Sequence, residues 1–186
     1  NNTIDGGDGN DLIKIDALNN YLYANTITGG LGNDRIQSGS NADTYLYSRG
    51  DGQDTISDYD NYSAAKTDKI VFGAGIVASD LFVSRSGWNL VVKINDPANS
   101  AASDQITIEN WFVAGDYYQI ESLVFSDGTS LSKAQLTQVG NIIYGTEGAD
   151  TLASFADNNT VYALGGNDTI TDGGGSDTIE GGAGDD

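Results

Sequence analysis

Gly29-Gly30-Leu31-Gly32-Asn33-Asp34-Arg35-Ile36-Gln37 reads GGxGxDxUx, where U is a large apolar residue, and Gly6-Gly7-Asp8-Gly9-Asn10-Asp11-Leu12-Ile13-Lys14 fits the same pattern throughout. Arg49-Gly50-Asp51-Gly52-Gln53-Asp54-Thr55-Ile56-Ser57 departs only at its first residue. Ser38 to Leu46 is a weaker copy, with Asn41 in place of a glycine, Asp43 at the acidic position and Tyr45 at the apolar one. Asn is the best substitute where φ is positive. At the carboxyl end Asp150, Asn159, Asp168, Asp177 and Asp186 recur every 9 residues, and Leu152, Val161, Ile170 and Ile179 follow the first four by two. The same spacing links Asn2 to Asp11 and Asn25 through Asp34 to Asp43; five extra residues separate Asp11 from Asn25, and Asp54 comes two residues late.

Each nonamer divides into a six-residue glycine turn and a three-residue strand. A strand that short is not stable alone. Stacked in parallel about 4.7 to 4.9 Å apart, such strands pair their backbones and bury their U residues in a thin core. Two turns and two strands complete a coil of about 18 residues, so alternate turns stack on one side and bring their sixth residues into register. Asp11, Asp34 and Asp54 are expected along one side, with Asn25 and Asp43 on the other; Asp150, Asp168 and Asp186 are expected to face Asn159 and Asp177. A flexible, solvated linker would not hold an apolar residue at fixed phase.

Carboxylates stacked in this way repel one another unless a cation joins them. Ca²⁺ accepts six to eight oxygens from carboxylates and backbone carbonyls, and it suits a turn whose glycines let carbonyls point inward and whose aspartate is short enough to reach the same ion. Asn supplies one neutral oxygen, so sites involving Asn25 or Asn159 are expected to be weak or empty.

The composition agrees with this reading. Of 186 residues 23 are Asp and only 4 are Glu, beside 25 Gly and 17 Asn, with a formal net charge of −19. Asp, Asn and Gly are turn residues, and long helices avoid them. There is no Cys and no His, which removes Ser-His and Cys-His nucleophiles, zinc sites and thiol redox centres. Nucleic acid is a poor partner for a chain so short of Lys and Arg. No stretch approaches the roughly 18 apolar residues of a transmembrane helix, and the first 20 residues lack a secretory leader pattern. The chain opens inside a turn pattern and stops inside another, as a fragment of a larger protein would.

The repeats resemble the haemolysin-type calcium-binding nonapeptides called RTX, which form parallel β-rolls in bacterial proteins exported by type I secretion systems. The resemblance implies that a turn's first and third carbonyls with its aspartate bind one ion, and its second and fourth carbonyls with that aspartate the next. Carried onto this chain, it implies ligands from Gly6, Asp8 and Asp11; from Gly29, Gly30, Leu31, Gly32 and Asp34; from Asp43; and from Gly50, Gly52 and Asp54. In the second block it implies Gly145, Glu147 and Asp150, then Ala163, Leu164, Gly165, Gly166 and Asp168, then Asp177, and finally Gly182, Gly184 and Asp186.

From residue 59 to 138 the glycine rhythm stops and strand patterns take over, at Asp68 to Phe72, Leu81 to Val83, Leu90 to Ile94, Gln105 to Ile108 and Ile120 to Phe125. Asp127-Gly128 marks a turn, and Leu131 to Leu136 reads as a short helix capped by Ser130 or Ser132. Residues 66–133 carry a net charge of −3, against −7 before and −9 after. This segment resembles the haemolysin-related domain that often follows RTX repeats, which implies a β segment that caps or interrupts the roll. Trp111 and Phe112 read as core, and Tyr45, Tyr47, Tyr59 and Tyr62 as strand residues rather than a carbohydrate platform. Asp96-Pro97 reads as a loop, although some RTX proteins self-cleave at such a bond. Glu109 and Glu121 are the segment's only glutamates, and nothing in the sequence brings them together as a glycosidase pair.

The expected fold is therefore all-β, with parallel β-rolls at 1–58 and 139–186 flanking a small β-rich unit at 59–138 that holds one short helix. The expected function is non-enzymatic: a module that folds on binding several extracellular Ca²⁺ ions and so supports secretion, through the type I machinery, of a larger toxin, adhesin or exoenzyme. The alternative is a calcium-stiffened adhesion module whose β unit contacts a host-surface glycan or receptor. Either way the chain is expected outside the cell or at its surface.

Overall fold

A computed structural model describes residues 2–15, 24–60, 67–115 and 117–186. Tyr62 and most of the insertion after Asp11 lie outside them. Two compact units divide the chain, Asn1–Leu136 and Thr137–Asp186.

In the first unit the glycine repeats form β1 (Asn2–Asp8), β2 (Leu12–Lys14), β3 (Asn25–Leu31), β4 (Arg35–Ser38), β5 (Thr44–Tyr47) and β6 (Gln53–Asp58). The segment after them supplies β7 (Lys69–Phe72), β8 (Leu81–Ser86), β9 (Asn89–Ile94), β10 (Gln105–Ile108), β11 (Ser122–Val124) and β12 (Ser130–Ser132). One sheet runs β1-β3-β5-β7-β11-β12 and the other β2-β4-β6-β10-β9-β8. Successive strands of the chain thus alternate between sheets through β7, as a two-sided coil requires.

The register carries the apolar phase from coil to coil. Ile4, Ile27, Tyr45, Ile70 and Leu123 are cross-strand partners in the first sheet, and Ile13, Ile36, Ile56, Ile108 and Leu90 in the second. All but Ile4 are buried and belong to the core, and Ile4 packs against it. The sequence division at residue 58 is not a break in the packing: β7, β10 and β11 continue the parallel ladders in the same compact unit. Antiparallel strands then close each sheet, β12 against β11 and the β8–β9 hairpin against β10. An exposed parallel edge invites further pairing, and these closures replace it with hairpin-type pairing.

Trp111 and Phe112 are core residues, as expected, and the Arg85 guanidinium sits 4.0 Å from the Phe112 ring centroid. The Asp96-Pro97 segment is the loop between β9 and β10, where the Asp96 carboxylate accepts from the Ala98 N–H at 2.9 Å. The helix α1 (Lys133–Gly140) begins later than its expected start, because Leu131 is held in β12 opposite Leu123. Ser132 and Gln135 cap it reciprocally, with the Ser132 N–H donating to Gln135 Oε1 at 2.9 Å and the Gln135 N–H reaching Ser132 Oγ at 3.4 Å.

The second unit is a smaller roll: β13 (Ile142–Tyr144), β15 (Thr160–Tyr162) and β17 (Thr178–Glu180) pair in parallel, and so do β14 (Thr151–Ala153) and β16 (Thr169–Thr171). Ile143, Val161 and Ile179 align in one sheet and Leu152 with Ile170 in the other. Val161 and Ala163 are fully buried. Mostly parallel strands with a few antiparallel ones, turns, one short α-helix and one 3-10 turn make up the described residues, and no helix among them is long and apolar enough to cross a membrane.

Candidate metal centre

Stacking the turns places the sixth residues in columns, and each column is a hydrogen-bond ladder. Asp34 Oδ1 accepts from the Asp11 backbone N–H at 2.8 Å, and Asp54 Oδ1 accepts from the Asp34 N–H at 3.0 Å. The second unit repeats the device, with Asp168 accepting from Asp150 at 2.8 Å and Asp186 from Asp168 at 3.0 Å. One oxygen of each accepting carboxylate is therefore committed to coil stacking.

The other oxygens are left over. Asp11 Oδ2, Asp34 Oδ2 and Asp168 Oδ2 are buried with no hydrogen-bond partner. Such an orphan costs the full desolvation of a charged acceptor unless something answers it. Beside Asp11 and Asp34 the space depends on the first glycine of the turn, as it does beside Asp186, whereas Ala163 holds that position in the Asp168 turn. A Cβ on Gly6 would lie 2.9 Å from Asp11 Oδ2, one on Gly181 would lie 2.5 Å from Asp186 Oδ2, and one on Gly29 would collide with Asp34 Oδ2. An all-oxygen donor set of unpaired carboxylates and turn carbonyls fits a hard divalent cation and offers nothing to a soft one.

Electrostatics point the same way. Burial pushes the Asp54 carboxyl up to about 7; the Asp34 N–H bond opposes the rise, while the charges of Asp34, Asp51 and Asp104 add to it. Without a counter-charge the Asp54 carboxyl is drawn toward its protonated form, and a cation would take the proton's place.

The opposite side is satisfied by the protein itself at most of its positions. Asn25 Oδ1 accepts from Asn2, and its backbone and side-chain N–H groups both donate to Asp43 Oδ1 at 2.8 Å. The second oxygen of Asp43 accepts from the Ser38 hydroxyl. In the second unit Asn159 Oδ1 accepts from the Phe155 N–H at 2.7 Å, and the Asp177 oxygens take the Asn159 N–H at 2.9 Å and the Ser154 hydroxyl at 2.6 Å. The Ser154 hydroxyl first, and the Asn159 N–H second, hold the Asp177 carboxyl below the usual range. The contrast between a full side and this depleted one comes from Ser38 and Ser154, which satisfy the aspartates Asp43 and Asp177, as much as from the Asn at positions 25 and 159.

The remaining sequence-assigned ligands fall into two groups. Gly30 and Gly32 stack directly on Gly7 and Gly9, Gly182 on Leu164, and Gly184 on Gly166; Gly145 lies under the Ala163 carbonyl, and Gly165 beside Glu147. The Leu31 carbonyl accepts from the Gly9 N–H at 2.7 Å, and Leu164 holds a left-handed φ of 73° at the turn position filled by Gly7, Gly30 and Gly182 in other copies. The second group has other engagements. Gly52 O accepts both the Gln105 N–H, at 2.9 Å, and the Tyr47 hydroxyl, at 2.5 Å, which occupies both its lone pairs. The Asp150 Oδ2 is taken by Thr146 N and Oγ1 at 2.6 and 2.9 Å and Asp8 is exposed, while the Gly50 N–H donates to Asp104 at 2.8 Å without occupying the Gly50 carbonyl.

Three acidic residues that the sequence reading passed over extend the depleted side or close it. Asp68 Oδ1 accepts from the Asp43 N–H at 2.6 Å, and Glu121 Oε2 from the Asp68 N–H at 2.8 Å, so the column runs on into the middle segment. It ends against a cation, with Lys133 Nζ 3.6 Å from Glu121 Oε1. Asp58 stands opposite Ser38 in the second sheet. The surviving signal was the triplet acid-x-apolar, seen in Asp68-Lys69-Ile70 and Glu121-Ser122-Leu123 as in Asp34-Arg35-Ile36.

Removing one orphan oxygen tests the assignment. Asp34→Ala is expected to lower calcium stoichiometry by at least one ion per chain in calorimetry, and an unchanged count would show that the column binds nothing.

The model of the RTX calcium-binding nonapeptide repeat matches four times, at residues 1–22, 20–56, 139–170 and 154–186, and that of the haemolysin-type calcium binding protein related domain at 89–135. The chain is 32% identical over 120 residues to the iron-regulated protein FrpA of Neisseria meningitidis serogroup C, covering 63% of this chain. It is 31% identical over 112 residues, 59% of the chain, to the RTX-III toxin determinant A from serotype 2 of Actinobacillus pleuropneumoniae. In both cases the match spans 10% of the relative.

Proposed function

From its membership of the RTX calcium-binding nonapeptide repeat family, to which the chain belongs, we propose that it is a non-enzymatic module which folds when it binds extracellular Ca²⁺ and so orders part of a larger secreted protein. The observation that carries this reading is the set of buried, unpartnered oxygens at the sixth turn position, on Asp11, Asp34 and Asp168.

The chain's own residues set the coupling. Asp34 ties its coil to the one before through Asp11 and to the one after through Asp54, so the same side chain carries both stacking and charge. Its second oxygen faces the turn interior, with Gly29 keeping that space open. Bound calcium supplies the positive charge and oxygen coordination that let these carboxylates sit together. Without that compensation the −19 charge and the short strands do not offset chain entropy. Binding free energy is then folding free energy. Affinities of roughly 10⁻⁴ to 10⁻³ M, as in extracellular modules, leave the chain unfolded in the cytosol and ordered outside. A chain without cysteine needs no oxidising step to reach that state. Export by a type I system belongs to the same proposal and draws on the family alone.

Circular dichroism during a calcium titration tests it. β-sheet signal is expected to appear cooperatively at sub-millimolar to millimolar Ca²⁺, and a spectrum indifferent to calcium and to chelator would defeat the reading.

A further inference from the structure

Among the described residues, the depleted side of the first roll has a place where the protein does not satisfy itself. Asp43 precedes β5, Asp68 precedes β7, and Asp58 ends β6 in the other sheet. Their carboxylate oxygens lie within 4.8 Å of one another, and all three residues are at least 98% buried. Ser38 and Asn25 occupy Asp43, while the Tyr45 hydroxyl donates to Asp58 Oδ2 at 2.8 Å and the Asp43 N–H to Asp68 Oδ1 at 2.6 Å. Asp58 Oδ1 and Asp68 Oδ2 remain buried without a hydrogen-bond partner. Asp60 adds negative charge at both, with its side chain within hydrogen-bonding reach of Asp68, and Glu121 adds negative charge at Asp58; neither brings a positive charge.

This is not the glycine-turn arrangement. In the turns of Asp11, Asp34 and Asp186 the first position is a glycine whose missing side chain leaves room for the sixth-position carboxylate, as Gly29 does for Asp34. Here the residue stacked on Ser38 is Asp58, so a side-chain carboxylate enters from the opposite sheet. Two orphan oxygens, in a cluster of three carboxylates that bring oxygens within 4.8 Å of one another, are a donor set of hard oxygens alone.

We propose that Asp43, Asp58 and Asp68 hold a divalent cation of the Ca²⁺ class at the point where β6 passes into β7, in a site built from side chains and joining the two sheets. The identity of the ion rests on the calcium reading of the roll, whereas the site itself uses none of the full-side ligands. It pins the last glycine-repeat strand to the first strand of the middle segment, so its filling joins the regular roll to its closing strands.

Asp58→Asn provides the test because the alternatives predict opposite signs. Asn keeps the size and an acceptor for Tyr45 while removing the charge. If a cation binds, the full chain loses one Ca²⁺ per molecule in calorimetry and needs more calcium to fold. If Asp58 is only a buried acid, the substitution removes an unpaired charge, leaves the stoichiometry unchanged and leaves the calcium midpoint the same or lower; that result overturns the proposal. Asp34→Ala run beside it separates the two readings: loss of an ion there with none lost in Asp58→Asn sinks this site alone, and no calcium bound by the wild-type chain sinks both. Should Asp58→Asn fail to fold, anomalous diffraction from the terbium-soaked wild-type chain decides, by a peak among the three carboxylates or by none.

Discussion

Acidifying the calcium-free chain from pH 8 to pH 5 is expected to increase its β-sheet content. Buried carboxylates are the cause. Burial raises Asp54 to about 7, and it also raises Asp51, Asp58 and Asp68, with neighbouring aspartates adding to each rise. An unfolded Asp titrates near 3.9. Between that value and neutrality the folded state holds protons that the unfolded chain has released, so stability falls as pH climbs through this window. The contribution is fully present below about pH 4 and is lost as pH passes the raised folded values. At pH 5 the chain is still above its isoelectric point of about 4.1 and keeps net negative charge.

Calcium reverses the slope. Ligand carboxylates must be deprotonated to bind, so the calcium needed for folding is expected to fall from pH 5 to pH 8. Far-UV spectra in chelator and in millimolar calcium, each at both pH values, would show the crossing. If the chelated chain is no more ordered at pH 5 than at pH 8, the carboxylate columns are not what keeps the metal-free chain unfolded.

How much of this could be read from the sequence depended on whether a feature was local. The sixth-position columns were legible because a period of nine and a fixed apolar phase set both strand register and side, and Asp11, Asp34 and Asp54 fall in one ladder as that arithmetic requires. The ladder's continuation through Asp68 and Glu121 carried the same acid-x-apolar triplet but no glycines, and a reading tied to glycine turns stopped short of it. Capture of the Gly52 carbonyl by Tyr47 and Gln105 is a tertiary contact with no local signature. So is the arrival of Asp58 beside Asp43, which depends on two unlike turns stacking. Thr146 holding Asp150 is different: a hydroxyl at the second turn position, four residues before the aspartate, was visible in the sequence as an internal competitor for the carboxylate.

Gly30→Ala is expected to disable the first roll while Gly7→Ala only weakens it, although both glycines occupy the second position of their turns and have left-handed φ, 103° and 93°. The shared backbone strain is worth roughly 1 to 2 kcal/mol for an L-residue. Their surroundings differ. A Cβ on Gly7 meets nothing within 4 Å, whereas one on Gly30 would overlap the Gly7 carbonyl oxygen and lie 2.7 Å from its carbon. Backbone cannot rotate away as a side chain can, so the coils must separate. Separation breaks the Gly9 to Leu31 hydrogen bond and the Asp11 to Asp34 ladder bond at the same turn. Adding that loss to the strain gives a cost on the order of 3 kcal/mol or more, in the range of severe single substitutions. Calcium restores folding only at higher concentration, because the two coils that carry Asp11 and Asp34 are the ones forced apart. Calcium titrations of the two variants followed by circular dichroism separate stacking from strain: a large rise in midpoint for Gly30→Ala beside a small one for Gly7→Ala supports close coil contact as the basis of the fold, and equal shifts would reduce the glycine requirement to backbone conformation alone.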